Sequence, residues 1–224
     1  MLYTKNNIKK GVTKMSKLYF KFGAMGSSKT ANALMTRFNY LEKNHSVWLI
    51  KPQTDTRDDY VDENGNIVTV VKSRIGLSAP AGVIKDSDDI SLLFKTAMAD
   101  IVKNDEVVKT NKIDAIICDE SQFFTEDQID QLKYISENEN IPVICVGLRS
   151  DFRTKLFPGS KRLFEIADSI NEVKSVCECG KKAIVNARFD GNGNIVTDGA
   201  QVDIGGNEKY KSMCWSCWQK LINK

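Results

Sequence analysis

From Lys17 onward, short apolar runs alternate with longer stretches whose apolar positions recur at helical spacing. The segment KLYFKFGAMGSSKTANALMTRFNYLE opens with strand-like alternation and passes through small residues. It then carries Ala31, Leu34, Met35, Phe38 and Leu41 on one broad stripe, so the pattern predicts strand, loop and helix in that order. A second apolar strand is predicted over 45–50, at the short spacing of an α/β unit, and Pro52 ends it. The region from there to about residue 82 is polar and turn-rich and reads as loop or hairpin. Further along, the pattern predicts a helix over 90–102, a buried strand over 113–118, a helix over 125–136 and a strand over 141–146. Repeated alternation of strand and helix through residue 170 predicts an α/β fold with a mainly parallel sheet covered on both faces by helices.

Beyond residue 170 the pattern changes. Cysteine pairs, the turns DGNGN and GGNEKY and β-leaning residues replace the helical spacing, and helix returns only at the end. So few apolar residues make no independent core, which predicts a small unit supported by a metal or by the larger domain. The expected organisation is an extension over 1–16, an α/β domain over 17–170 and a small zinc-ribbon-like domain over 171–224. No internal repeat is present.

Composition narrows the class without naming a function. The 224 residues are 42% hydrophobic and 27% charged, with only four Pro, as suits a folded globular chain and not a disordered or collagen-like one. The net charge is +3 and the signs are interspersed, so no basic footprint for nucleic acid is offered. No apolar run approaches the roughly 20 residues that cross a bilayer, and the polar, basic start has no apolar segment of a secretory signal. A cytoplasmic protein without a membrane partner is therefore expected. Of six cysteines, Cys118 and Cys145 lie in apolar runs and read as core, whereas Cys177, Cys179, Cys214 and Cys217 form two close pairs. In a reducing compartment, four thiolates on a structural Zn2+ are the natural reading of such pairs. The first pair is spaced C-x-C and the second C-x-x-C.

Two motifs carry nucleotide chemistry. GAMGSSKT, from Gly23 through Ala24, Met25, Gly26, Ser27, Ser28 and Lys29 to Thr30, matches the phosphate-binding loop G-x-x-x-x-G-K-[ST] except that Ser28 stands where glycine is expected. In such a loop backbone amides and the helix start hold phosphate, the lysine reaches the β/γ-phosphates, and the hydroxyl can ligate Mg2+. Ser28 fits only if its backbone does not demand a conformation reserved for glycine. The second motif is AIICDESQFF, where an apolar strand delivers Asp119 and Glu120 to its carboxyl end, the ligand side of a parallel sheet. There one carboxylate can serve the metal and the other can take a proton from an attacking hydroxyl. These residues alone leave open a P-loop ATPase, another nucleoside kinase, or a non-enzymatic zinc module that binds nucleic acid.

Five ordered signatures go further: GAMGSSKT, DTR at 55–57, DESQFF at 119–124, GLRSDFRTKLF at 147–157 and IGGNEKY at 204–210 between the cysteine pairs. Together they resemble the type II thymidine kinases. The resemblance implies an α/β ATP-binding domain, a small zinc domain whose long loop crosses the nucleoside, and Mg2+-dependent transfer of the γ-phosphate of ATP to thymidine, with deoxyuridine as a second substrate. It also implies a homotetramer and feedback inhibition by dTTP. By the same resemblance Glu120 is the general base, and Lys29, Thr30, Asp55, Arg57, Asp119 and Gln122 belong to the phosphate and Mg2+ neighbourhood. Asp55 and Arg57 read otherwise as ordinary loop charges. Met25, Leu148, Phe152 and Phe157 would line the nucleoside, with Phe152 stacked on the pyrimidine. The loop would span 186–210, with backbone groups of Gln201, Val202, Asp203, Ile204 and Gly205 pairing with the pyrimidine edge and Tyr210 near the sugar.

Overall fold

The computed structural model of the chain describes residues 16–203 and 209–223. In order, its elements are β1 (Leu18–Phe22), α1 (Lys29–Leu41), β2 (Val47–Pro52), β3 (Tyr60–Val61), β4 (Ile67–Val68), β5 (Val70–Lys72), β6 (Ser78–Pro80) and β7 (Gly82–Ile84). There follow α2 (Ile90–Phe94), β8 (Ala99–Lys103), β9 (Glu106–Thr110), β10 (Ala115–Cys118), α3 (Glu126–Asn138), β11 (Val143–Gly147), α4 (Pro158–Ile166) and β12 (Ser169–Glu172). The last part holds β13 (Ser175–Val176), β14 (Lys182–Ala183), β15 (Val185–Phe189), β16 (Ile195–Val196), β17 (Tyr210–Met213) and α5 (Trp215–Ile222).

Eight strands form the main sheet in the order β12-β1-β11-β10-β2-β8-β9, with β7 beside the end of β2. From β12 to β2 every pairing is parallel, and β7 joins β2 in parallel too, as the alternation of strand and helix predicts. All residues of β2, β10 and β11 are buried and all but Lys51 are apolar, as a parallel sheet covered on both faces requires. Successive side chains divide between two cores. Ala33, Leu34 and Leu41 of α1 pack on Val47, Leu49, Ala115, Ile117, Ile144 and Val146. On the opposite face Ile129, Leu132 and Ile135 of α3 and Leu163 of α4 pack on Leu18, Phe20, Ile116 and Val143, with Cys118 and Cys145 among them as expected core residues. Helix α3 starts on a capping box, with Thr125 and Gln128 each accepting from the other's backbone N–H.

Three expectations are corrected. The helix predicted over 90–102 ends at Phe94, and Ala99–Lys103 is a strand that pairs antiparallel with β9 and with β2 at the sheet edge. The apolar positions of that segment suit either period, and no Gly or Pro marks the break. On α1, Met35 and Phe38 are 45% and 58% exposed and so do not join the core stripe. Strand β12 pairs with β1 as far as Glu172 and therefore runs across the expected domain boundary at 170. The polar stretch after Pro52 folds into two hairpins, β3–β4 and β5–β6, before β7 returns to the sheet.

The small unit consists of the β13–β14 hairpin, the three-stranded sheet β16-β15-β17 and α5, packed around Val185, Ala187 and Trp218. No described helix is long and apolar enough to cross a membrane.

Candidate functional site

The carboxyl ends of β1 and β10 open onto one cavity of about 580 Å3 that reaches from the phosphate loop to the small unit. The loop leaves β1 and turns into α1 at Lys29, so its backbone amides and the first turn of the helix face the same space. Ser28 adopts the left-handed conformation, φ 61 and ψ 25, the very region in which glycine is at home. The motif's departure is therefore tolerated at a cost and not avoided. A non-glycine residue there costs about 1–2 kcal/mol, and glycine returns about 0.5–1 kcal/mol of that through its freer unfolded chain. Ser28→Gly is expected to stabilise the protein by about 0.5–1 kcal/mol, seen as a melting temperature about 2 °C higher. A lower melting temperature in that variant would show that the serine side chain makes up for its backbone.

Lys29 folds back onto the loop and donates to the Ala24 carbonyl at 3.0 Å and to Ser27 Oγ at 3.2 Å. Burial pushes its pKa down to about 8 against the pull of Glu120 and Asp119, so the ammonium is short of negative partners. The Thr30 hydroxyl donates to Asp119, with 3.1 and 3.3 Å to the two carboxylate oxygens. Burial and then the neighbouring Glu120 raise Asp119 to about 7. A half-buried hydroxyl and a buried carboxyl at the foot of a phosphate loop, the carboxyl so poorly compensated, form the oxygen donor set that suits a hard divalent cation.

Glu120 is left-handed as well, at φ 48, and its strained backbone turns the side chain from the strand end into the cavity. Arg57 Nη2 donates to one of its oxygens at 2.5 Å and Gln122 Nε2 donates to the other at 2.5 Å. Burial works to raise its pKa, but Arg57, Gln122 and Lys29 outweigh that and hold the carboxyl below its usual range. Gln122 is itself fixed, because its Oε1 accepts from Leu148 N at 2.9 Å. Gly147 makes room for this contact: a Cβ there would lie 2.6 Å from Gln122 Oε1. Gln122 thus bridges β10 and β11 and orients Glu120. Asp55 accepts from Arg57 Nε at 2.6 Å, so Arg57 links the aspartate of DTR to Glu120.

Sequence reading passed over the group that anchors this loop. Lys51, 1% exposed at the end of an apolar strand, donates to Asp59 Oδ1 at 2.8 Å and to the Val70 carbonyl at 2.9 Å, and lies 3.8 Å from Asp55. Arg74 of the β5–β6 hairpin also lines the cavity, again unannounced by any motif.

At the other end of the cavity lie Met25, Leu148, Phe152, Phe157 and Tyr210. Phe152 is 1% exposed, with the Arg188 guanidinium 5.2 Å and that of Arg153 5.6 Å from its ring centre. Phe157 packs edge-on against Phe123 with ring centres 5.5 Å apart. Gln201 donates to Asp151 at 3.1 Å, and Tyr210 donates its hydroxyl proton to the Asp203 carbonyl at 2.8 Å. Gln201, Val202 and Asp203 line the cavity, while Ile204 and Gly205 lie outside the described residues. Buried Asn186 ties the two halves: its Oδ1 accepts from Met25 N at 2.8 Å and its Nδ2 donates to the Ser150 carbonyl at 3.1 Å. One asparagine in a short strand that also carries Arg188 gave no signal for that contact.

The sulfurs of Cys177, Cys179, Cys214 and Cys217 all lie within 4.8 Å of one another, with Cys179 and Cys214 at 3.6 Å. A tetrahedral zinc with Zn–S bonds of about 2.3 Å sets its sulfurs about 3.8 Å apart, so the four fit a closed zinc site. The C-x-C pair sits in a tight turn in which Gly180, at φ 83, donates to the Cys177 carbonyl at 2.8 Å. Backbone N–H groups of Cys179 and Cys214 lower the Cys177 thiol to about 7, while the sulfurs of Cys179 and Cys214 push Cys217 up to about 12. One thiolate is favoured and the next is resisted, a conflict that a divalent cation removes.

Comparison with known proteins agrees with this geometry. A family model described as thymidine kinase matches residues 16–218. A thymidine kinase of Legionella pneumophila strain Philadelphia 1 is 41% identical over 200 residues, covering 89% of this chain and 88% of the relative. The thymidine kinase of Enterobacteria phage T4 is 40% identical over 210 residues, covering 94% and 99%. That of Photorhabdus laumondii is 39% identical over 210 residues, covering 94% and 96%. With a family match over nearly the whole length and relatives about 40% identical over most of theirs, the chain belongs to the thymidine kinase family.

Proposed function

We propose that the protein transfers the γ-phosphate of ATP to the 5'-hydroxyl of thymidine, giving dTMP and ADP, and accepts deoxyuridine as a second substrate. The observation that carries this reading is the single cavity. One end offers phosphate-binding amides, Lys29 and a carboxylate pair, and the other offers the aromatic and apolar wall of Phe152, Phe157 and Leu148. ATP would lie on the loop and the nucleoside against the wall, so the acceptor oxygen reaches the γ-phosphorus near Glu120.

In the reaction the 5'-oxygen forms a bond to the γ-phosphorus, the bond from that phosphorus to the bridging oxygen of ADP breaks, and the hydroxyl proton passes to Glu120. A carboxylate held below its usual pKa is ionised at neutral pH, and each oxygen keeps a lone pair beyond those that Arg57 and Gln122 engage. Lys29 and Arg57 counter the charge that spreads over the transferred group. Thr30 and Asp119 would hold Mg2+, which neutralises phosphate charge when bound. Gln201, Val202, Asp203 and Tyr210 wall the nucleoside end, and the four cysteines would hold structural Zn2+ that ties together the small unit carrying them.

A homotetramer, inhibition by dTTP and cytoplasmic residence belong to the same reading. The exposed Met35 and Phe38 of α1 support an assembled state, and a four-thiolate metal site, which needs reduced cysteines, supports a reducing compartment. The test is phosphate transfer from Mg-ATP across a panel of deoxynucleosides, with the product identified by mass. Thymidine monophosphate as the main product is expected. ATP consumed without a phosphorylated nucleoside would instead make the protein an ATPase, and salt-sensitive binding to DNA without transfer would make it a binding module.

A further inference from the structure

Lys29 and Arg57 are not the only cations that face the phosphate loop. Arg74 stands at the tip of the β5–β6 hairpin and lines the same cavity. Its Nη1 comes so near Gly26 that a Cβ built on that glycine would lie 3.3 Å from it. Among the described residues this guanidinium has no hydrogen-bond or ion-pair partner, whereas Arg57 is held by two carboxylates.

The tip that presents Arg74 is a defined turn. Ser73 is buried, donates its N–H to the Leu77 carbonyl at 2.8 Å and accepts from Leu77 N on its Oγ at 3.1 Å. Gly76 supplies the positive φ of 88° that closes the turn. The hairpin's root is equally fixed, since the buried Lys51 donates to the Val70 carbonyl and Asp59 accepts from Val70 N at 3.3 Å. Val71 and Ala79 seat the strands in the core beside α1. The chain therefore spends a shaped, anchored hairpin on holding one unpaired arginine over the phosphate loop.

Lys29, Arg57 and Arg74 all line the cavity beside one loop of amide donors, and three cations so placed repel each other unless an anion sits between them. A polyphosphate supplies that anion, and a planar guanidinium is suited to grip two of its oxygens at once. We propose that Arg74 is a phosphate ligand of the donor site, which binds the polyphosphate of ATP from the hairpin side, across the loop from Lys29, and stabilises the transferred charge. This rests on the cavity's loop end being the ATP end.

Arg74→Ala and Arg74→Gln separate the proposal from a merely structural role, since the side chain is exposed and touches nothing whose loss would unfold the hairpin. Both variants should melt like the unmodified protein and bind AMP-PNP at least about tenfold more weakly, with kcat/KM for ATP down by about a hundredfold. Thymidine binding measured without nucleotide should stay within twofold. Millimolar methylguanidinium should restore part of the activity of Arg74→Ala and none of that of the unmodified protein. AMP-PNP affinity and kcat/KM within twofold of the unmodified protein would overturn the assignment. Because nucleotide binding is read without nucleoside, that arm stands even if the unmodified protein phosphorylates no thymidine, in which case only the acceptor reading fails.

Discussion

Glu120→Gln should bind both substrates with near-native affinity and turn them over about 10²–10⁴-fold more slowly, the range that a positioned general base contributes. The amide keeps the size of the carboxylate and can still meet Gln122 and the cavity wall, but it has no basic oxygen for the hydroxyl proton. It also releases Arg57, whose Nη2 donates to Glu120 at 2.5 Å, so ATP affinity in the variant should hold or rise slightly. The pH dependence carries a second signature. Arg57 and Gln122 depress the Glu120 pKa against the effect of burial, so the base is ionised at neutral pH and its activity is lost only as pH falls through that depressed value. Arg57→Ala removes the largest of the depressing influences and should move the acid limb of kcat/KM to higher pH. Turnover by Glu120→Gln within tenfold of the unmodified protein, with product confirmed by mass, would displace Glu120 from the role of base.

What sequence reading recovers and what it misses divides by range. The strand-loop-helix unit at 17–42, the strand that ends in Asp119 and the capped α3 each declare themselves within about a dozen residues, through apolar period, small-residue turns and caps. The parallel sheet follows, because β2, β10 and β11 are apolar at every position but Lys51. Local signals failed where two periods coexist, as in Ile90–Phe94 and Ala99–Lys103, or where an apolar face is left uncovered, as with Met35 and Phe38.

The site divides in the same way. Lys29, Thr30, Asp119 and Glu120 lie in contiguous motifs, and the four cysteines announce themselves by type and spacing. Arg57 meets Glu120 across 63 positions, and Asn186 meets Met25 across 161. No window along the chain contains such contacts, so only the signature resemblance raised Arg57 above an ordinary loop charge. Lys51 is concealed by its setting, since a lysine at the end of an apolar strand reads as a solvated terminus until its two carboxylate neighbours and the Val70 carbonyl are seen around it. The one departure from the phosphate-loop pattern, Ser28, proved informative in the opposite sense: the backbone keeps the glycine conformation although the residue is not glycine.

Removing the zinc ligands should have the second large effect, and it should fall unevenly over the molecule. The sheet domain carries its own two cores, whereas the small unit rests on Val185, Ala187, Trp218 and the cysteine cluster. Structural zinc binding of about 10–16 kcal/mol is folding energy for a unit of this kind. Cys214 has a double part, because its sulfur also accepts from Cys217 N at 3.4 Å and so caps α5. Cys214→Ala should therefore lose zinc, measured as metal per chain, and add an early unfolding step for residues 175–223 in hydrogen exchange. Tyr210, Asp203 and Gln201 reach the nucleoside end from this unit, so kcat/KM for thymidine should fall at least about a hundredfold. AMP-PNP binding should weaken much less, since Lys29, Thr30 and Asp119 stand on α1 and at the end of β10. Some loss is expected there too, because Asn186 of β15 accepts from Met25 N and Ala24 packs against Cys177 and Cys214. Chelation of the unmodified protein should reproduce the pattern and added Zn2+ should reverse it. Full thymidine turnover and an unchanged melting curve in zinc-free protein would mean that the four sulfurs pack the small unit together without a metal.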